Sequence, residues 1–157
     1  MLNPGTIVEA IAAALRDIPA LVTAQGTGAS ITAVHPEFAS IANFQKKLHE
    51  ANPGDILVRW LGTGPGSFDE NRIWKHQIGI YIRPFDTAST DSTGSHYLAA
   101  KLVVDGVPAH GDGSKLLNQQ IVSGLDLMDV PTLRMVIDNE GLEYALVTFG
   151  IPEIGDN

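Results

Sequence analysis

A chain of 157 residues with 18 acidic and 10 basic side chains carries a formal charge of −8 and contains no cysteine. That length suits one domain with its own core, and the missing thiols exclude disulfides, zinc–thiolate sites, iron–sulfur clusters and cysteine nucleophiles. The acidic balance, with Lys46-Lys47 as the only adjacent basic pair, argues against a protein that grips phosphate and suits a surface past which DNA slides without sticking.

The start, Met1-Leu2-Asn3-Pro4-Gly5, lacks the basic stretch and apolar core of a secretory signal, so synthesis in the cytosol is expected. The apolar stretch from Thr6 to Leu15 is interrupted by Glu9 and is too short to span a bilayer. Thr6-Ile7-Val8-Glu9 reads as a capping box, and Ile7, Ile11, Leu15 and Ile18 follow on one helical stripe. The sequence therefore predicts a helix from Thr6 to Ile18, ended by Pro19. A looser crossing spans residues 20–36, with Gln25-Gly26-Thr27-Gly28 as a loop and Ser30 to His35 as a strand.

A second helix is expected from Glu37 to Ala51, with Phe38, Ile41, Gln45 and Leu48 on its stripe and Asn52-Pro53-Gly54 as its stop. Asp55 to Leu61 then reads as a strand. From Ile73 to Arg83 the residues alternate: Trp74, His76, Ile78, Ile80 and Ile82 face one way, and Lys75, Gln77, Gly79, Tyr81 and Arg83 the other. That period marks a long, half-buried strand. Between the two strands, the glycine-rich run at 62–67 is expected to be an exposed, flexible loop.

Residues 84–95 hold no bulky apolar side chain after Phe85, so this segment is expected to be mobile until a neighbour orders it. A third helix, Ser95 to Val104, leads into another flexible loop at 105–114. Leu116 to Val122 is strand or helix, since periodicity does not decide. Thr132 to Asp138 and Leu142 to Phe149 form a closing hairpin around Asn139-Glu140-Gly141, with Leu133, Met135 and Ile137 on one face.

The chemistry-bearing motifs are weak. A phosphate loop needs glycines and a lysine at fixed spacing. Gly62 to Ser67 has no lysine and runs into Asp69-Glu70, while Gly111-Asp112-Gly113-Ser114-Lys115 has its lysine misplaced beside an aspartate. The five histidines (His35, His49, His76, His96, His110) are scattered, and His49-Glu50 lacks the second histidine that a zinc helix requires. His76 shares a strand face with Trp74 and Ile78, which favours a hydrogen-bonded, partly buried ring over a ligand or base. His110 and Asp112 would make a site only with His96 or Asp91 beside them. No G-x-S-x-G elbow occurs, and Asp91-Ser92-Thr93-Gly94 departs from D-[ST]-G by an extra residue. Asp69-Glu70 and Asp126 with Asp129 read as solvated loop charge. Trp60, Trp74 and Tyr81 are better placed to fill a core or interface than to stack a ligand. The expectation is a protein that is not an enzyme, with no cofactor and no metal.

The element order predicts an α+β fold: a mostly antiparallel, mixed sheet with about three helices packed on it, spanning residues 1–157 as one domain. The charged fraction, 18%, lies under the roughly 25% of an average domain. Either part of the surface is buried against neighbours or it is rich in Ser, Thr, Asn and Gln. The capped helix from Thr6 to Ile18, the Ile73 to Arg83 strand and the Thr132 to Phe149 hairpin with its Ile-Pro-Glu tail resemble a bacteriophage tail-terminator (tail-completion) protein. The resemblance extends over nearly the whole chain in size and element order. It implies a homohexameric ring in the virion that caps the tail tube of a long-tailed phage, contacts the tail-tube protein and the head–tail connector protein, and lets DNA pass without specific binding.

No site residue is carried over, because the family has no catalytic motif. For such a ring, Tyr81 and Arg83 at the end of the long strand are the expected subunit-interface residues. Asp69, Glu70 and Asp112 on loops are the expected lumen-facing acids. The alternatives are another neck or head–tail connector protein, or a small-molecule-binding or hydrolase domain using the loops near Gly64 and His110.

Overall fold

The computed structural model describes residues 3–36, 41–66, 73–85, 92–106 and 131–153. Among them the chain runs α1 (Pro4–Arg16), α2 (Pro19–Gln25), β1 (Ile31–Val34), α3 (Ile41–Glu50), β2 (Ile56–Gly66), β3 (Ile73–Ile82), α4 (Ser92–Gly106), β4 (Thr132–Ile137) and β5 (Glu143–Pro152). The strands form one five-stranded sheet in the order β1-β2-β3-β5-β4. β1 runs parallel to β2, with α3 in the crossover between them, and every other pairing is antiparallel. The α+β class is as expected, with one more helix than the sequence indicated: α2.

α1 starts earlier than the capping box predicts. Asn3 is the cap, its side chain accepting from the Gly5 amide at 2.8 Å, and Pro4 occupies the first turn, where its missing N–H costs nothing. Thr6 is therefore inside the helix, and Glu9 reaches out to His35 instead of back to a cap. Pro19 ends nothing by itself; it opens α2 from the N-cap Ile18. The stripe is as predicted where it matters most, with Ile7, Ile11 and Leu15 fully buried beside Val8 and Ala12. Each large aliphatic side chain on it contributes about 1.5–3 kcal/mol.

The two sheet faces are covered separately. On one, Ile56, Val58, Ile78, Ile80, Ile82, Ala145, Val147, Phe149 and Ile151 pack against α1, α2 and α4, the last through Ala99, Ala100 and Val103. On the other, Leu57, Tyr81 and Leu146 meet Phe44 and Leu48 of α3. The predicted stripe of α3 holds at Leu48 and fails at Gln45, which is exposed while its neighbour Phe44 carries the contact; Phe38 lies outside the described residues. The Phe44 ring stands edge-on to Tyr81 at 4.6 Å, and Arg59 lies 4.4 Å above it as a cation–π partner. Gly79 makes room for this arrangement, since a Cβ there would come within 2.9 Å of the Tyr81 ring.

The run at 62–66 is strand, not loop. A bulge between Trp60 and Gly62 shifts the register, after which Gly62 to Gly66 pair with Gln77 to Ile73. β5 likewise continues past Phe149, with Ile151 and Pro152 paired to His76 and Lys75. Of the predicted loops, 86–91 and 107–114 lie outside the described residues, as does Leu116 to Val122, whereas 92–95 and 105–106 are helical, because α4 runs past both of its expected ends, Ser95 and Val104; the hairpin is as expected. No described helix is long and apolar enough to cross a membrane.

Candidate functional site

The polar side chains that the fold buries are committed to holding elements together. Asp55, 6% exposed, accepts from the Ser30 amide and the Asn52 amide, both at 2.8 Å, and from the Ser30 hydroxyl at 3.3 Å. One carboxylate thus joins β1, the end of α3 and the start of β2. Gln25 adds to the same corner, donating to the carbonyls of Ser30 and Gly54 at 3.2 and 3.0 Å. Gly54 takes a positive φ of 83° there, with the Gln25 carbonyl 3.0 Å from where a Cβ would stand.

Tyr81 and Arg83, the expected interface residues, have internal duties. Tyr81 is 7% exposed between Phe44 and Tyr144. Arg83 donates from Nη1 to the carbonyl of Leu48 at 2.8 Å and, at 3.5 Å, to that of Ala51, closing the last turn of α3. Burial lowers its pKa below that of a free guanidinium, opposed by the charges of Asp55 and Asp138. Tyr81 is thus buried within the subunit, while Arg83 is half-buried and tied to the end of α3. Asp69, Glu70 and Asp112, the expected lumenal acids, lie outside the described residues, as do His110 and Asp91.

Among the described residues, three histidines lie beside carboxylates. His35 contacts Glu9 at 2.7 Å on the surface. His49 bridges α3 to the β4–β5 turn, 3.0 Å from Asp138 and 3.4 Å from Glu140. Asp138 accepts from the amides of Leu142 and Glu140, both at 2.9 Å, so its carboxyl is held below the usual aspartate range by those amides and by His49. A cleft of about 450 Å³ opens here, lined by Gln45, Lys46, His49, Asp138, Asn139 and Glu140. It contains a histidine oriented by a carboxylate but no hydroxyl nucleophile among its lining residues. No group of three or more His, Asp or Glu suited to a metal occurs among the described residues.

The third pair is buried. His76, fully buried, accepts from the indole N–H of Trp60 at 3.2 Å, and its Nε2 lies 3.8 Å from Glu153. Trp60 packs on the face covered by α1 and α4, whereas Tyr81 is on the α3 face, so the two rings do not form one stacking platform.

The sheet edges are a further surface feature, besides the exposed Tyr97 and Leu98 of α4. β1 is blocked at one point, because Arg16 donates from Nε and Nη2 to the Ile31 carbonyl at 3.0 and 2.6 Å. β4 pairs only with β5 among the described residues. On its outer part Met135 and Ile137 are 47% and 69% exposed, although Leu133 on the same face packs into the core. Sequence periodicity identified that face correctly and gave no sign that its far end is uncovered. No protein-family model matches this chain, and no curated protein matches it.

Proposed function

We propose that the chain is a structural subunit that joins copies of itself into a closed ring, of the kind that caps the tail tube of a long-tailed phage and meets the head connector. The observation that carries this reading is the asymmetry of the sheet edges. β1 is plugged by Arg16, while β4 has no partner on its outer side among the described residues, beside the exposed Met135 and Ile137. An open strand with apolar side chains is a pairing template that monomeric proteins normally cover.

A β4 edge that met its own copy would close at a dimer. A ring needs it to meet an unlike patch on the next subunit. Val22 on α2 and Leu61 at the bulge of β2, 44% and 42% exposed, offer apolar surface away from β4 for that contact. The net charge of −8 suits a bore through which DNA passes without sticking. The rival use of a glycine loop near Gly64 is less well supported, because Gly64 is paired with Lys75 inside β2.

Negative-stain images of the purified protein test the reading. Closed rings with an open bore are expected, in the protein alone or on addition of tail-tube protein. A monomer or a two-fold dimer under both conditions would contradict it.

A further inference from the structure

We propose that Trp60, His76 and Glu153 form an acid-operated latch, in which a proton taken up by His76 expels the indole of Trp60 and loosens the end of β5 from β3. An indole N–H can only donate, so Nδ1 of His76 is the acceptor at 3.2 Å and the proton of the neutral ring sits on Nε2. That Nε2–H faces Glu153 at 3.8 Å, beyond direct hydrogen-bond reach.

The cluster lies on a single sheet face at one end. His76 is opposite Thr63 of β2 and Ile151 of β5, and Glu153 follows Ile151 by two residues on the same strand side. Its cross-strand partners are thus uncharged. Burial disfavours the imidazolium and outweighs the Glu153 carboxylate, which favours it, so the ring is neutral at neutral pH.

A solvent proton can add only to Nδ1. It converts that nitrogen from acceptor to donor, so two N–H groups then face each other at 3.2 Å. No covalent bond breaks; the indole–imidazole hydrogen bond is lost and both nitrogens need new partners. Trp60 is the half-buried member and can swing towards water. The imidazolium is left with Glu153, on the last described residue of the chain, where β5 is held to β3 through Ile151 and Pro152.

The test is to follow the indole N–H resonance of Trp60 against pH in Trp74→Phe protein, which leaves one tryptophan. A shift with faster hydrogen exchange is expected, with a midpoint below 6.5. His76→Gln retains an acceptor for the indole but cannot titrate, so the transition should vanish. Glu153→Gln removes the carboxylate that favours the imidazolium, so the midpoint should fall by about one pH unit. If His76→Gln does not fold, the direction of the Glu153→Gln shift decides. No transition down to about pH 4.5, an unchanged transition in His76→Gln, or an upward or absent shift in Glu153→Gln overturns the latch.

Discussion

Arg16 reaches from the last turn of α1 to the backbone of β1, its Nε and Nη2 both donating to the Ile31 carbonyl. A helix side chain thereby occupies the hydrogen-bonding capacity that the edge strand would otherwise offer to another chain. β4, at the opposite edge, has no such guard among the described residues.

Removing that guard should expose a second edge. Arg16→Ala is expected to cost about 1 kcal/mol, because the guanidinium is exposed and its bonds compete with water. Its larger effect should be on association, with irregular aggregates appearing at concentrations where the parent forms discrete particles. Denaturant melts measure the first effect and light scattering the second.

Phe44 is the member of α3 that holds the helix to the sheet. It is 2% exposed and touches both Tyr81 and Arg59. Phe44→Ala should destabilise the fold by about 3–5 kcal/mol, whereas Gln45→Ala on the exposed side should change stability by about 0.5 kcal/mol or less. Similar denaturant midpoints for the two variants would show that α3 is not anchored as described.

Asp55 presents a different dependence. Asp55→Ala leaves the Ser30 and Asn52 amides without their acceptor in a part-buried corner, an expected cost on the order of 3 kcal/mol. Asp55→Asn retains an acceptor oxygen and should recover part of that loss. Equal stability of the two variants, measured by thermal unfolding, would contradict the capping role.

Acid should weaken the fold through two histidines. Burial lowers the folded-state pKa of His76 and of His96, each from 6.5. Below 6.5 the unfolded chain then binds more protons than the folded one, so stability is complete above that pH and declines as pH falls towards the folded values. Each group can contribute at most about 1.4 kcal/mol per pH unit across that interval. Asp138, whose folded pKa is lowered from 3.8, gives a separate loss at more acid pH, as pH falls below 3.8 through its folded value. His96→Phe should flatten the first decline without touching the second. Denaturant titrations at stepped pH provide the check.

What the sequence made legible follows from which contacts are local. Ile7, Ile11 and Leu15 repeat at helical spacing, and His76, Ile78, Ile80 and Ile82 repeat at strand spacing, so each buried face appears in a short window. Phe44 was missed because Ile41 and Leu48 can be joined at helical spacing through either Phe44 or Gln45, and only the packing on the sheet decides between them. The strand from Gly62 to Gly66 was illegible for a physical reason: its residues favour turns, and pairing with β3 across the bulge holds it extended.

The site was less legible than the fold. Tyr81 and Arg83 stood out as a tyrosine and an arginine at a strand end, and only the distant Phe44, Leu48 and Ala51 explain them. Trp60, His76 and Glu153 belong to three strand segments whose register fixes their meeting, which no window of sequence contains. The polar pattern that a ring would use, a strand edge with no guard among the described residues, consists of backbone and leaves no residue signature beyond Met135 and Ile137.

The proposed contact through β4, joining one copy of this chain to the next, is tested most directly by Ile137→Lys. Ile137 is 69% exposed, so a lysine there should leave the subunit folded while placing charge in the proposed contact. Light scattering across a concentration series, with circular dichroism to verify folding, measures the outcome. A discrete multi-subunit mass is expected for the parent, in the protein alone or with tail-tube protein, and a folded monomer for Ile137→Lys under the same conditions. An unchanged assembly mass in the folded variant, or a parent that stays monomeric in both settings, would contradict it.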